Sequence, residues 1–180
     1  MIHTPPAIDL STPAMRAWEK LPESIRAEVI SNKLYVSLSP TTYHQRVCMS
    51  ICRDLEDHVT QFKLGEVWSV PVDTYLEGPG KSVVVPDVIF IATDNKLKER
   101  REGLFGVPDL LIEILSRRTR KYDLTTKKDL YERNGVREYW VVDPETKEAQ
   151  GYLLKEGAYG SPLVMKSKIN VRILKKTFKF

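Results

Sequence analysis

Two short, strongly apolar runs in the middle of the chain each carry one acid that a core does not tolerate alone: Asp87 within VVVPDVIFI and Glu113 within DLLIEILS. Strands this apolar are normally buried on both faces, and an ionised carboxylate there is costly unless it is paired or holds a metal. A helix-forming segment follows at once, with Asp123, Lys127 and Tyr131 four residues apart and therefore stacked along one face. The stretch over 81–142 thus constrains the fold most, because it must reconcile buried strands, two acids and a lysine-bearing helix.

The rest of the chain supplies a scaffold for that stretch. Residues 1–11 read as a loose arm, and Thr12-Pro13 reads as an N-cap with proline at the first helical position, opening a short helix to Trp18. The segments 26–31 and 34–38 alternate enough to be a hairpin, turned at Asn32-Lys33. Tyr43, Val47, Ile51, Leu55 and Val59 then recur every fourth residue, which predicts a long helix capped by the Ser39–Thr42 segment and stopped by Gly65. Strands are expected over 66–76 and 82–91, joined by a Gly78-Pro79-Gly80 turn. A polar loop over 93–106, with a helical turn at 96–101, leads to a third strand over 109–115. The basic loop 116–122, a helix over 123–134 ended by Gly135 and a fourth strand over 137–142 follow. Shorter strands complete the chain over 149–154, 163–166 and 170–174.

The middle therefore reads helix, three strands, helix, strand. Three strands on modest loops form a meander, and a strand–helix–strand step favours a right-handed parallel crossover. The expected product is an α/β (α+β) fold: a mixed sheet with an αβββαβ core flanked by helices, an N-terminal hairpin and short C-terminal strands. At 180 residues one domain over 1–180 is expected.

Composition narrows the setting. No apolar run approaches the roughly 20 residues that cross a bilayer, and the N-terminus lacks the basic and apolar regions of a secretory signal. Cys48 and Cys52 lie one helical turn apart, poor geometry for a disulfide, and no second cysteine pair exists to complete a metal site. They read as small hydrophobes of a cytoplasmic protein. Net charge is +4, which permits a polyanionic partner without demanding one. Its distribution says more: basic residues crowd at 96–101 and at 117–121, on either side of the strand that holds Glu113.

If strand register turns Asp87 and Glu113 to the same side, their oxygens converge. Oxygen-only ligation suits a hard cation, Mg²⁺ or Mn²⁺, which activates water and stabilises charge developing on a phosphate. Lys127 is the cation best placed to assist, since its helix starts just after the Glu113 strand. The competing reading is that Asp87 marks a bend after Pro86 and that Glu113 simply pairs with a base. Arg118 and Arg120, in the basic loop, are expected to contact phosphates, although a solvated charge run would read the same way.

Pro86-Asp87, Glu113-Ile114-Leu115, SRRTRKYDLTTKKDLY and GVREYWVVDPE together resemble the bacterial "putative restriction endonuclease" family, a branch of the PD-(D/E)XK nuclease superfamily. The resemblance runs from the first hairpin to about Leu154 and is most specific over 107–145. It implies a restriction-endonuclease-like fold and Mg²⁺-dependent hydrolysis of DNA phosphodiesters. It makes Asp87 and Glu113 metal ligands, with the main-chain carbonyl of Ile114 as a third. The motif lysine two residues after Glu113 is absent, replaced by Leu115, and the family pattern relocates it to Lys127. Glu28 matches an early acid of the family, and His44 a histidine beside the phosphate, although a capping or surface histidine would stand there equally well. Tyr131 is assigned to substrate or to holding Lys127. A homodimer is compatible with double-strand cutting. The alternative is a catalytically inactive module of the same fold that binds nucleic acid or protein.

Overall fold

The computed structural model describes residues 12–22, 24–37, 39–76 and 82–180. The arm over 1–11 and the Gly78-Pro79-Gly80 turn lie outside the described residues.

Helix α1 (Pro13–Glu19) is capped by the Thr12 hydroxyl, which accepts from the Met15 N–H at 3.2 Å. Strands β1 (Ala27–Ile30) and β2 (Lys33–Val36) form the hairpin. Its turn is Ser31-Asn32, both at positive φ (49° and 57°), one residue earlier than expected. Two left-handed residues are what a two-residue hairpin needs to match strand twist. Helix α2 (Thr42–Phe62) buries Val47, Ile51, Leu55 and Val59 along one stripe. It stops at Lys63 in the left-handed conformation, and not at Gly65. Gly65 instead starts β3 (Gly65–Ser69), where any Cβ would collide with the Ile91 carbonyl oxygen.

Each long strand expected over 66–76 and 82–91 is broken in two. After β3 the chain passes Pro71 and resumes as β4 (Thr74–Leu76), while β5 (Ser82–Val84) passes Pro86 and resumes as β6 (Val88–Ala92). Proline has no N–H for the ladder, so the chain changes sheets at both points. The loop over 93–106 contains a hairpin, β7 (Lys98–Arg100) with β8 (Gly103–Phe105), in place of a helical turn. Strand β9 (Leu110–Ile114) carries Glu113. Helix α3 then begins at Arg120–Tyr122, earlier than expected, widens into a π-helical turn over Asp123–Lys127 and continues as Lys128–Asn134. Gly135, left-handed at φ 86°, caps it. The remaining strands are β10 (Glu138–Val142), β11 (Glu148–Lys155), β12 (Ala158–Tyr159), β13 (Leu163–Lys166), β14 (Lys168–Val171) and β15 (Lys176–Lys179).

The main sheet runs β12-β11-β10-β9-β6-β3, with β13 also on β11. Within it β3, β6 and β9 are antiparallel, and β10 lies parallel to β9 across α3, which is the αβββαβ order. One face packs Phe90, Ile112 and Trp140 against the apolar stripe of α2. The other turns Ile89, Leu111 and Tyr139 toward Leu130 and Tyr131 of α3 and toward Ile30, Leu76 and Val84 of a second sheet, β2-β1-β5-β4-β8-β7. Helix α1 covers the far side of that second sheet through Ala14 and Met15. The β14–β15 hairpin is held by Glu138, whose carboxylate accepts the Arg172 and Ile173 N–H groups at 3.0 Å and the Trp140 indole N–H at 2.8 Å.

Candidate active site

Register decides where the two acids point. Val88 pairs with Ile112, Ile89 with Leu111 and Phe90 with Leu110. Asp87 stands at the bend just before this ladder, level with the end of β9 that carries Glu113. The join is close: the Asp87 carboxylate, through Oδ2, accepts the N–H of Ile114, next in chain to Glu113, at 2.8 Å. Glu113 lies on the face shared with Leu111, so it points at α3 and the second sheet and away from α2.

Three other elements complete the cluster. Helix α3 brings Lys127, whose ammonium donates to Glu113 Oε1 at 2.9 Å and lies 2.9 Å from Glu28 Oε1 on β1. The same Glu28 oxygen accepts the Val85 N–H at 2.8 Å, which ties the hairpin to the kink before Asp87. Tyr131, one turn beyond Lys127, donates its hydroxyl to Glu113 Oε1 at 2.8 Å. Expected against substrate, it is wholly buried and spends its hydroxyl on the acid. Helix α2 brings His44, with Nε2 3.1 Å from Asp87 Oδ2. Asp123 lies 3.6 Å from the Lys127 ammonium, and neither of its oxygens has a hydrogen-bond partner among the described residues. Glu28, Glu113, Lys127 and Asp123 are each 5% exposed or less, and Asp87 and His44, at 8%, are buried with them.

Three carboxylates, Glu28, Glu113 and Asp123, thus face one ammonium, with a fourth, Asp87, paired to His44 beside them. Burial holds Glu113 well above the usual carboxylate range; Lys127 opposes this, and the neighbouring acids Asp123, Asp87 and Glu28 reinforce it. Burial likewise pushes Asp123 up to about 6, against the pull of Lys127. Burial alone would lower Lys127, but Glu113, Glu28 and Asp123 reverse it and fix the ammonium in its charged form. Desolvation thus governs the two acids, and the surrounding carboxylates govern the lysine.

The model of the Uma2 family, described as "Putative restriction endonuclease", matches residues 13–177. The chain belongs to the Uma2 family. Its fold is also that of a solved structure, a putative nuclease belonging to DUF820 from Anabaena variabilis ATCC 29413. The two superpose with a TM-score of 0.71 at 18% identity over 88% of each chain. No curated protein matches it.

For this member of the Uma2 family the metal question rests on the donor set. Among the described residues no three His, Cys, Asp or Glu side chains converge tightly enough to hold a metal alone. Two carboxylates, a main-chain carbonyl and retained waters are a sufficient set for Mg²⁺ or Mn²⁺, and the surplus of negative charge around one ammonium favours a further cation. Cys48 is no ligand candidate: burial pushes its thiol up to about 12. Leu115, where a motif lysine would stand, is buried in the core below the second sheet, so no charged group could occupy that position without being buried itself.

Of the two loop arginines, Arg118 is exposed with no ion pair among the described residues. The Arg120 guanidinium is bound to Asp143 at the end of β10. Burial raises Asp143, but the Arg120 hydrogen bond and the N–H groups of Thr146 and Glu145 outweigh it and hold the carboxyl below its ordinary value. Arg120 therefore anchors the start of α3, a role its position in a basic run did not reveal. Asp109 accepts from Ala92 N–H and Asn95 at 2.8 and 2.7 Å and pairs with Arg137 at 2.9 Å, so it serves the start of β9. No helix among the described residues is long and apolar enough to cross a membrane.

Proposed function

We propose that this chain is a Mg²⁺- or Mn²⁺-dependent endonuclease that hydrolyses DNA phosphodiester bonds. The observation that supports the reading is the bond from the Ile114 N–H, next to Glu113, to the Asp87 carboxylate at 2.8 Å, with the Lys127 ammonium 2.9 Å from Glu113. Asp87, Glu113 and the Ile114 carbonyl would hold the metal. The metal, when bound, supplies a water of lowered pKa and neutralises charge on the phosphate.

The protein's own groups do the rest. Lys127 offers fixed positive charge beside Glu113, where negative charge develops on a scissile phosphate. Glu28 also holds that ammonium, at 2.9 Å, and would accept hydrogen bonds from the water shell of a bound cation. His44, against Asp87, and Arg118, on the exposed loop, contact the DNA backbone, while Arg120 stays with Asp143 and holds the start of α3. Tyr131 orients Glu113. A cleft of about 660 Å³, lined by Arg26, Ala27, Asp73 and Val85, lies beside Glu28 without including the acids themselves. The same reading places the protein in the cytoplasm, and a homodimer would present the two sites that double-strand cutting needs.

The test is DNA cleavage with Mg²⁺, Mn²⁺ and EDTA by the wild type, Asp87→Asn and Glu113→Gln. Metal-dependent cutting by the wild type and its loss in both variants, with melting temperatures kept, supports the assignment. Equal cutting by all three defeats it. Salt-sensitive DNA binding without turnover in any metal would identify an inactive nucleic-acid-binding module instead.

A further inference from the structure

We infer that Asp123 is a positioning residue, the second acceptor to which the Lys127 ammonium moves when a divalent cation takes Glu113. This rests on the reading of Asp87 and Glu113 as the cation site, and it assigns a role to the one buried acid that reading leaves idle.

Lys127 is shared unequally. Its ammonium is 2.9 Å from Glu28 and from Glu113 but 3.6 Å from Asp123, beyond hydrogen-bond range. Asp123 is 1% exposed and neither oxygen is satisfied among the described residues. The Thr119 hydroxyl is close enough to favour the ionised carboxylate and also shares a hydrogen bond with the Ser116 hydroxyl at 2.9 Å. Buried carboxylates are almost always paired, so one held open beside a lysine implies a second state in which the pair is made. The π-helical turn over Asp123–Lys127 is the device that leaves this gap, and such turns recur at functional sites. Closing it takes 0.7 Å (3.6 less 2.9).

The charges give the direction. A divalent cation on Glu113 competes with the ammonium for that carboxylate and repels it. Glu28 remains as one acceptor, and Asp123 is the only other acid beside the ammonium among the described residues. The lysine then stays charged between Glu28 and Asp123, with a donor released from Glu113.

A double-mutant cycle on Mn²⁺ affinity, measured by calorimetry on the full chain, tests this. Asp123→Asn should weaken Mn²⁺ binding about tenfold in the wild-type background and leave it unchanged in a Lys127→Met background, because its effect passes through the lysine. Equal weakening in both backgrounds would mean simple through-space attraction and would overturn the inference while leaving the metal site standing. A wild type that binds no Mn²⁺ removes the metal reading and this inference together. On the unmutated protein, adding Mg²⁺ should shift the side-chain NMR signals of both Lys127 (15Nζ) and Asp123 (13Cγ). A Glu113 carboxyl signal that moves while Asp123 stays silent overturns it independently of any variant's folding.

Discussion

Replacing Lys127 with methionine isolates the charge at the centre of this site. Methionine keeps most of the apolar stem and deletes the ammonium that meets Glu28 and Glu113 at 2.9 Å. The group is 4% exposed, so water does not take its place. Removing one partner of a buried ion pair costs about 3–5 kcal/mol, because the charge left behind is uncompensated. For a chain of this size that is on the order of 10 °C in melting temperature. Only ionised acids carry the penalty, which makes it depend on pH. Glu113 and Asp123 already hold protons more tightly in the folded protein than in the unfolded chain, Asp123 shifting from 3.8 to about 6. An acid with a raised folded pKa favours folding below its unfolded value, and that contribution is lost as pH rises toward the folded value. Without Lys127 the shift grows, so the deficit of Lys127→Met should be small near pH 4 and complete by about pH 8. Urea unfolding of wild type and variant in EDTA at both pH values measures it. A deficit of the same size at the two values would refute the reasoning, since it would mean that lost packing, and not stranded negative charge, is responsible.

Other outcomes follow from the same contacts. Gly151→Ala places a Cβ 2.6 Å from Cη2 of the buried Trp140 ring, and overpacking of this kind should destabilise by roughly 1–3 kcal/mol in thermal melts. Glu138→Ala strands the N–H groups of Trp140, Arg172 and Ile173, so hydrogen exchange should quicken across β14 and β15 while the β9–β10 ladder stays protected. Asp143 has the opposite sign to Asp123: its folded pKa is lowered, so its contribution is present above the unfolded value and vanishes as pH falls through the folded one. Asp143→Asn should therefore flatten the acid limb of the stability profile, read by denaturation between about pH 3 and 5. Tyr131→Phe removes one of two donors to Glu113 and should reduce cleavage more than it reduces melting temperature.

Much of the architecture was legible before any coordinates. The fourfold recurrence from Val47 to Val59 produced α2 because an amphipathic stripe has one way to bury itself, while Tyr43, expected at the head of that stripe, stands exposed in the first turn. The apolar runs around Asp87 and Glu113 produced β6 and β9 at the centre of the main sheet, where strands must be apolar on both sides. Local pattern misled where one residue belonged to two sheets. Pro71 and Pro86 divide runs that read as continuous strands, and only the packing of a second sheet against the first shows why the chain turns there.

The candidate site divides in the same way. The residue types were set by the sequence itself: an acid in each of two apolar strands is so costly unpaired that a partner had to exist, and Lys127, Glu28 and His44 were each expected beside them. Tertiary structure decided the geometry. The pairing of β6 with β9 brought the Asp87 carboxylate to the Ile114 N–H beside Glu113, and the long-range approach of β1 to α3 let one ammonium serve Glu28 and Glu113 together. A π-helical turn, which no periodicity announces, left Asp123 beside them with its carboxylate open. Spacing along a chain constrains which side chains share one element's face. Distances between elements come from how sheets and helices pack, and there the balance of three acids against one lysine was struck.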